Sequence, residues 1–151
     1  MKGSRGSANT DANRRLAMLW GDGDTVSDPE GTTYTSDKQI NGTVSEQLPD
    51  ADSLYNHYKK LIMIRKAYPE IARGKFTALC FDGMKLGGFV SEYNDSRIAV
   101  IHNTTQEEMS VDISNVSDIG FSTVCTTAGA GEAALEGSVL TLSGQTSVII
   151  R

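Results

Sequence analysis

The 151-residue sequence has no apolar run near the roughly 18 residues that a membrane-spanning helix needs. Its amino terminus, MKGSRGSANT, has basic residues but no apolar stretch behind them, which excludes the usual form of a secretory signal peptide. The sequence therefore predicts no membrane span, and it leaves the cellular compartment open.

Cysteine is scarce, with only Cys80 and Cys125 and no CxxC pair. This spacing excludes the usual zinc patterns, and we expect two free, buried thiols, with a disulfide between them left open. The net charge of −5 is uneven, since residues 54–75 carry six basic and one acidic side chain and residues 76–151 carry three and nine. Because no basic stripe is interleaved with aromatics, a nucleic-acid partner is not expected.

Catalytic signatures are also missing, since the HExxH, GxSxG and P-loop patterns do not occur. We interpret His57 and His102 as structural or surface residues, and the acidic residues after position 75 single out no glycosidase-type carboxylate pair. Asp22, Asp24 and Asp28 resemble a calcium loop without its mid-loop glycine and final glutamate, so we expect a solvated loop. The sequence thus predicts no catalytic residue, metal or cofactor.

One helix is clearly predicted. Residues 21–52 are rich in Gly, Asp, Ser and Thr without periodicity, which indicates a long loop that lies around a larger body or is disordered. The next stretch has Leu54, Tyr58 and Leu61 at helical spacing, with acidic residues before its start and basic residues toward its end. Because Pro69 ends it, the pattern predicts a helix over about 53–67 that packs one apolar face on a neighbour.

After Gly74 the pattern changes to short β-rich runs separated by turn residues. The alternation over 109–113 predicts a half-buried strand, and the more uniformly apolar run 97–103 predicts a central strand beside it. The fold class is therefore mainly β, an antiparallel β-sandwich preceded by one long helix and an irregular amino-terminal segment. The seven predicted strands are 75–81, 85–93, 96–104, 107–113, 121–127, 137–142 and 146–151.

Three segments occur in an order that resembles the α-amylase family of glycoside hydrolases, in particular its oligoglucosidase and neopullulanase-like branch. NRRLAMLW (13–20) resembles the family's RxPMxW segment, and QING (39–42) resembles its INV motif. DADSLYNHYKKLIMIRKAYPEIARG (50–74) resembles its DPxSxxxYYKKLIxLRKxxPxxxxG helix. The strands that follow stand where the family has its carboxyl-terminal β-sandwich, so the resemblance spans the whole chain.

Enzymes of that family are (β/α)₈ barrels, and they act by a retaining mechanism with two aspartates and a glutamate. All three carboxylates lie in barrel motifs that would precede this segment. The resemblance therefore implies that residues 1–74 are the end of a barrel, with its last helix at about 53–67, and that 75–151 are the β-sandwich. It also implies that Arg15 contacts substrate. Ala17 replaces the family's proline, and a structural ion pair between Arg15 and a barrel carboxylate is the alternative.

We thus expect a noncatalytic carboxyl-terminal part of an α-glucan-acting hydrolase, inactive alone, whose partners are the missing catalytic barrel and, for the parent enzyme, starch-derived oligosaccharides. Without a barrel, the apolar face of the helix and an apolar cluster at 16–20 would lack cover. Either residues 1–50 are disordered or rearranged, or two copies associate, and we expect self-association. One alternative is a surface interaction sandwich with no link to a barrel. Another is a carbohydrate-binding module that uses exposed aromatics, for which the candidates are Phe76, Phe81, Phe89, Tyr93 and Phe121.

Overall fold

The computed structural model describes residues 11–24, 26–33, 41–81, 83, 85–116 and 120–151. Its contacts divide the chain into residues 1–59 and 60–151, which are treated separately below. Within the described residues the helices are α1 (Asp11–Arg14), α2 (Val44–Gln47), α3 (Leu54–Ala67) and α4 (Pro69–Arg73). The strands are β1 (Lys75–Cys80), β2 (Leu86–Tyr93), β3 (Ser96–Asn103), β4 (Met109–Asp112), β5 (Val124–Gly129), β6 (Ala133–Glu136), β7 (Val139–Leu142) and β8 (Thr146–Ile150).

The strands form two antiparallel sheets, one in the order β1-β2-β3-β8-β5 and the other in the order β4-β7-β6. The predicted mainly-β, antiparallel sandwich class is confirmed. Strand β3 is central in the larger sheet, as its apolar sequence predicted, and its Ile98, Ala99 and Ile101 have no exposed surface. The core lies between the sheets and combines side chains of the larger sheet, such as Leu86 and Val90, with Val111, Leu140 and Leu142 of the smaller one.

The neighbour predicted for β4 is wrong, because β4 pairs with β7 and β3 pairs with β2 and β8. The chain leaves one sheet at the end of β3 and enters the other at β4. Asn103 holds this crossing, since its Nδ2 donates to the carbonyls of Glu107 at 2.7 Å and Ser143 at 3.0 Å. The predicted alternation within the strand is correct, with Val111 buried and Asp112 exposed.

Strand β6 was not predicted, because the run AGAGEAALE was interpreted as a loop. In the structure Ala133 pairs with Leu142 and Leu135 pairs with Leu140, and both residues of β6 pack against the core. Alanine is a weak β-former, and Gly137 turns the chain with φ of 60° directly after the strand. Packing against β7 therefore decides the conformation of a segment whose own composition does not.

The end of α3 and one side of α4 pack on the outer face of the five-stranded sheet. Ile64, Tyr68 and Ile71 contact a buried cluster of Ile98, Val100 and Ile149. The predicted long helix is confirmed as α3, which ends at Ala67 before the proline. That proline also begins α4, a helix that was not predicted, because its fixed φ and missing N–H suit a first helical position.

Residues 41–59 contain another helix that was not predicted, α2, within the stretch interpreted as a long loop. Thr43 caps it, since its side chain accepts from the backbone N–H of Glu46, whose carboxylate accepts from the backbone N–H of Thr43 at 2.7 Å. This reciprocal pair is the capping box that a T-x-x-E sequence encodes. Gln47 at the end of α2 then accepts from the backbone N–H of Tyr55 at 3.0 Å, which joins α2 to the start of α3.

Candidate functional site

Arg15 follows α1 and has an exposed side chain that forms an ion pair with Asp11 one turn earlier. Asn13, between them, is buried and exchanges two hydrogen bonds with Thr33, at 3.1 and 2.9 Å. The structure therefore holds the backbone beside Arg15, while its guanidinium lies at the surface. Arg15 thus pairs with a carboxylate of its own chain. Its contact with substrate and its pairing with a barrel carboxylate stay predictions.

Two of the three aspartates in the stretch that resembles a calcium loop accept hydrogen bonds from backbone N–H groups. Asp28 accepts from the N–H of Ala17 at 2.9 Å, and Asp24 accepts from the N–H groups of Trp20 and Gly21. Within the described ranges, no group of three or more His, Cys, Asp or Glu side chains is arranged to hold a metal ion. These carboxylates instead fix the turn that presents Trp20.

Large apolar side chains are exposed in both parts of the chain. In residues 1–59, the side chains of Trp20 and Tyr58 are each 60% exposed. In residues 60–151, Ile62 is 53% exposed and Phe76 is 62% exposed. Further exposed apolar residues are Met18, Leu48, Leu54, Tyr55, Leu61 and Met63. Such side chains in this number favour contact with a partner surface.

His102 lies beside a cavity of about 280 Å³ between α3, α4 and the outer face of the five-stranded sheet. Its Nδ1 is 2.7 Å from the hydroxyl of Ser147, the residue opposite it on β8. Burial lowers the pKa of His102 below its usual value of 6.5, so its neutral form is favoured. His57 lies on α3, where its ring edge meets Tyr58. Among the described residues, neither histidine forms an ion pair with a carboxylate.

The five candidate aromatics do not form one sugar-stacking platform. Phe121 is only 8% exposed and belongs to the core, and Phe81 packs against the same core. Phe89 packs on the outer-face cluster, where its ring meets that of Phe76 edge-on at 5.5 Å. Tyr93 is half-buried. Phe76 is thus the one well-exposed ring among the five.

Both cysteines are free. Cys80 ends β1 and Cys125 lies in β5, at opposite edges of the five-stranded sheet, so about four strand spacings, roughly 19 Å, separate the two strands. A disulfide between them is therefore excluded. The expectation of burial is wrong for Cys80, which is exposed because β1 is an edge strand, while Cys125 is half-buried.

Glu70 is a buried charged residue that sequence reasoning missed. Its side chain is 1% exposed, and its Oε1 accepts from the hydroxyl of Ser96 and from Nη2 of Arg151 at 2.7 Å. Burial opposes its ionisation, but the hydrogen bonds from Ser96, its own backbone and Arg151 hold the pKa of Glu70 below its usual value. The carboxylate therefore stays charged and joins α4 to the end of β8.

Comparison with known proteins places the chain among glycosidases. No family model matches it. It is 30% identical over 116 residues to the oligo-1,6-glucosidase of Bacillus cereus, a match that covers 74% of this chain and 20% of the relative. A probable oligo-1,6-glucosidase 2 of Bacillus subtilis (strain 168) is 30% identical over 99 residues, covering 62% of this chain and 17% of the relative. The chain therefore spans about a fifth of the length of these relatives.

Solved structures agree with the sequence relatives. Eubacterium rectale Amy13B superimposes with a TM-score of 0.77 at 28% identity, covering 94% of this chain and 28% of that one. An alpha-amylase from H. orenii has the same fold with a TM-score of 0.62 at 21% identity, covering 88% of this chain and 27% of that one. In the described part of the chain, no helix has the length and apolar character to cross a membrane.

A helix-flanked antiparallel sandwich with these neighbours defines a β domain of the kind found in glycoside hydrolases. The ordered motifs, the relatives and the neighbours agree on the particular family. The chain belongs to the α-amylase family of glycoside hydrolases and is related to its oligo-1,6-glucosidases.

Proposed function

We propose that this chain is the noncatalytic carboxyl-terminal part of an α-glucan-acting hydrolase, in which it supports a catalytic barrel. Its relatives are named as oligo-1,6-glucosidases and, in Dictyoglomus thermophilum, as an alpha-amylase. In this proposal residues 1–74 complete the barrel and residues 75–151 are the accessory β-sandwich. The substrates of the whole enzyme would be oligosaccharides derived from starch.

The observation that carries this proposal is the set of exposed apolar side chains on α3, combined with the short span of the chain relative to its relatives. Ile64 of α3 packs on the sheet, whereas Tyr58 and Ile62 of the same helix remain open to solvent. A helix that packs one apolar side and exposes another is typical of an element between two bodies. We infer that the second body is the barrel.

The sandwich contributes stiffness in this arrangement. Because α4 is tied to the sheet through Glu70, and Ile64 packs on the same sheet, we infer that the end of α3 is held against the sandwich. A barrel that rests on α3 would therefore rest on a rigid support. The sandwich acts by positioning this helix and takes no part in bond cleavage.

Arg15 remains the residue that we propose to contact substrate. Its guanidinium is exposed and, among the described residues, pairs with the exposed carboxylate of Asp11, a pairing that surface solvation makes weak. A sugar hydroxyl or a barrel carboxylate could replace Asp11 at little cost. In the whole enzyme, Arg15→Ala should raise KM while Asp11→Ala, the matched control, should leave it unchanged.

A chimaera tests the supporting role. This chain would replace the homologous fifth of the Bacillus cereus oligo-1,6-glucosidase, with the same enzyme truncated at that point for comparison. We expect the chimaera to unfold at a higher temperature than the truncated enzyme, and Ile62→Glu to abolish this gain. Lys60→Glu, on the same helix, should retain it. A chimaera no more stable than the truncated enzyme would contradict the proposal, as would hydrolysis of p-nitrophenyl α-glucoside by this chain alone.

Calorimetry with maltoheptaose separates this function from carbohydrate binding by the sandwich. Of the candidate rings only Phe76 is well exposed, so we expect no heat of binding. Binding that is lost in Phe76→Ala would favour the binding-module alternative.

A further inference from the structure

A cationic cleft lies where α3 meets α4, on the outer side of the five-stranded sheet. It has a volume of about 510 Å³, and an apolar floor of Ile62, Pro69 and Ala72. Arg65, Lys66 and Arg73 stand around it, and none of these cations has an ion-pair partner among the described residues. The one acidic residue of segment 60–75 is Glu70, which is buried and bound to Arg151. The cleft is therefore an apolar surface with an uncompensated positive rim.

The opposite side of the same sandwich has the reverse pattern. On the outer face of the three-stranded sheet, Asp112 is the cross-strand partner of Val139, which is also the partner of Glu136. Val139 is 43% exposed, and both carboxylates beside it are exposed. Segments 107–116 and 132–142 contain five acidic residues and no lysine or arginine. This row is an apolar side chain between two negative charges.

We propose that the cationic cleft of one copy of this chain receives the acidic row of a second copy. Val139 enters the apolar floor, and Asp112 and Glu136 meet the cations of the rim. The two surfaces match in the position of apolar centre and charged edge, and they carry opposite signs, which steers association and fixes orientation. The inference concerns this chain by itself, because Ile62 of the cleft is also the residue that we propose to face the barrel.

The two surfaces lie on opposite sides of the sandwich, so the contact is head-to-tail. Each copy that binds leaves its own second surface free, and association continues into short chains or a ring. A contact of this small size is weak and becomes populated only at high protein concentration. Because charge pairs at a surface are screened over about 10 Å at 0.1 M salt, it also depends on ionic strength.

Sedimentation velocity on the intact chain tests the contact. At about 0.02 M salt the average mass should rise with protein concentration, and at about 0.5 M salt it should fall to that of the monomer. Arg73→Glu and Glu136→Lys should each weaken association about tenfold or more, because each places like charges together. The matched controls Lys85→Glu and Asp95→Lys make the same changes of net charge elsewhere and should associate like the original chain.

Mixing the two variants gives the decisive result. Arg73→Glu retains the acidic row and Glu136→Lys retains the cleft, so the mixture should regain the association that each variant alone has lost. Circular dichroism confirms that each variant is folded. The proposal is overturned by a chain that stays monomeric at about 1 mM, by variants that associate as their controls do, or by association that persists at high salt through the apolar residues of segment 16–20.

Discussion

The carboxylate of Glu70 accepts a hydrogen bond from the guanidinium of Arg151 at 2.7 Å, across 81 positions of sequence. The carbonyl of Glu70 also accepts from the hydroxyl of Ser91 at 2.7 Å. One residue of α4 is thereby tied to β2 and to the residue that follows β8. The ring of Tyr68 lies 5.9 Å from the same guanidinium and completes its surroundings.

Loss of this carboxylate should destabilise the sandwich. Glu70→Ala leaves the hydroxyl of Ser96 without its acceptor and opens space beside α4, so we expect a loss of about 2–3 kcal/mol in the free energy of unfolding. Arg151→Ala should cost less, about 1–2 kcal/mol, because the arginine is half exposed and its charge is partly solvated. Urea denaturation measures both, and Arg73→Ala should stay within about 0.5 kcal/mol. Equal stability of Glu70→Ala and the original chain would contradict the assignment.

Acid should weaken the protein through the same residue. The pKa of Glu70 is lowered in the folded state from its usual 4.5, so the charged carboxylate contributes fully to the free energy of unfolding above pH 4.5. The contribution is lost as the pH falls through the lowered folded-state pKa, because the unfolded chain then binds the proton more readily. Denaturation curves recorded between neutral pH and strong acid should show this loss. The Glu70→Gln variant should show a shallower acid limb, and an identical limb would argue against the ion pair.

His102 should titrate below its ordinary value. Burial disfavours its imidazolium form and lowers its pKa from 6.5. The contribution of the neutral, buried imidazole to the free energy of unfolding is therefore fully present above pH 6.5. It is lost as the pH falls through the lowered folded-state pKa, because the unfolded chain binds the proton more readily. Proton NMR of the imidazole ring gives the midpoint directly. Val100→Ala, which opens the cavity beside the ring, should move the midpoint back toward 6.5.

Two neighbouring glycines of β2 should differ sharply in their tolerance of alanine. A Cβ at Gly88 would lie 1.9 Å from the carbonyl oxygen of Val100, an atom of the adjacent strand that cannot move without breaking the ladder. At Gly87 the nearest atom would be the carbonyl oxygen of Leu79 at 3.6 Å, an ordinary contact. We expect Gly88→Ala to cost about 2 kcal/mol or more and Gly87→Ala less than about 1 kcal/mol. Thermal unfolding compares them, and equal effects would rule out the close strand approach.

Local patterns predicted the elements that periodicity governs. The helical spacing of Leu54, Tyr58 and Leu61 predicted α3. The apolar run of β3 predicted that this strand lies at the centre of its sheet. The partner of β4 could not be obtained in this way, because alternation shows which face of a strand is buried and says nothing about which sheet it joins. Strand β6 was missed because its alanines have little β preference of their own.

In the candidate site too, local sequence patterns predict some features, and tertiary contacts decide the others. The capping box of α2 is local, and the T-x-x-E signal at Thr43 would have found it. Glu70 was not recognisable, because it lies in an ordinary helical sequence and its partners Ser96 and Arg151 are distant along the chain. The exposed state of Trp20 and Ile62 is equally a tertiary property, although the family resemblance anticipated that such residues lack cover.

Strand β3 lies under helices on one side and under the smaller sheet on the other. Ile98 and Val100 face the helices, and Ala99 and Ile101 face the smaller sheet. Solvent reaches its backbone amides only when all three layers separate. Deuterium will therefore enter β3 and its neighbour β8 last, at a rate that reports the global opening of the sandwich, while the edge strand β1 exchanges through local fraying.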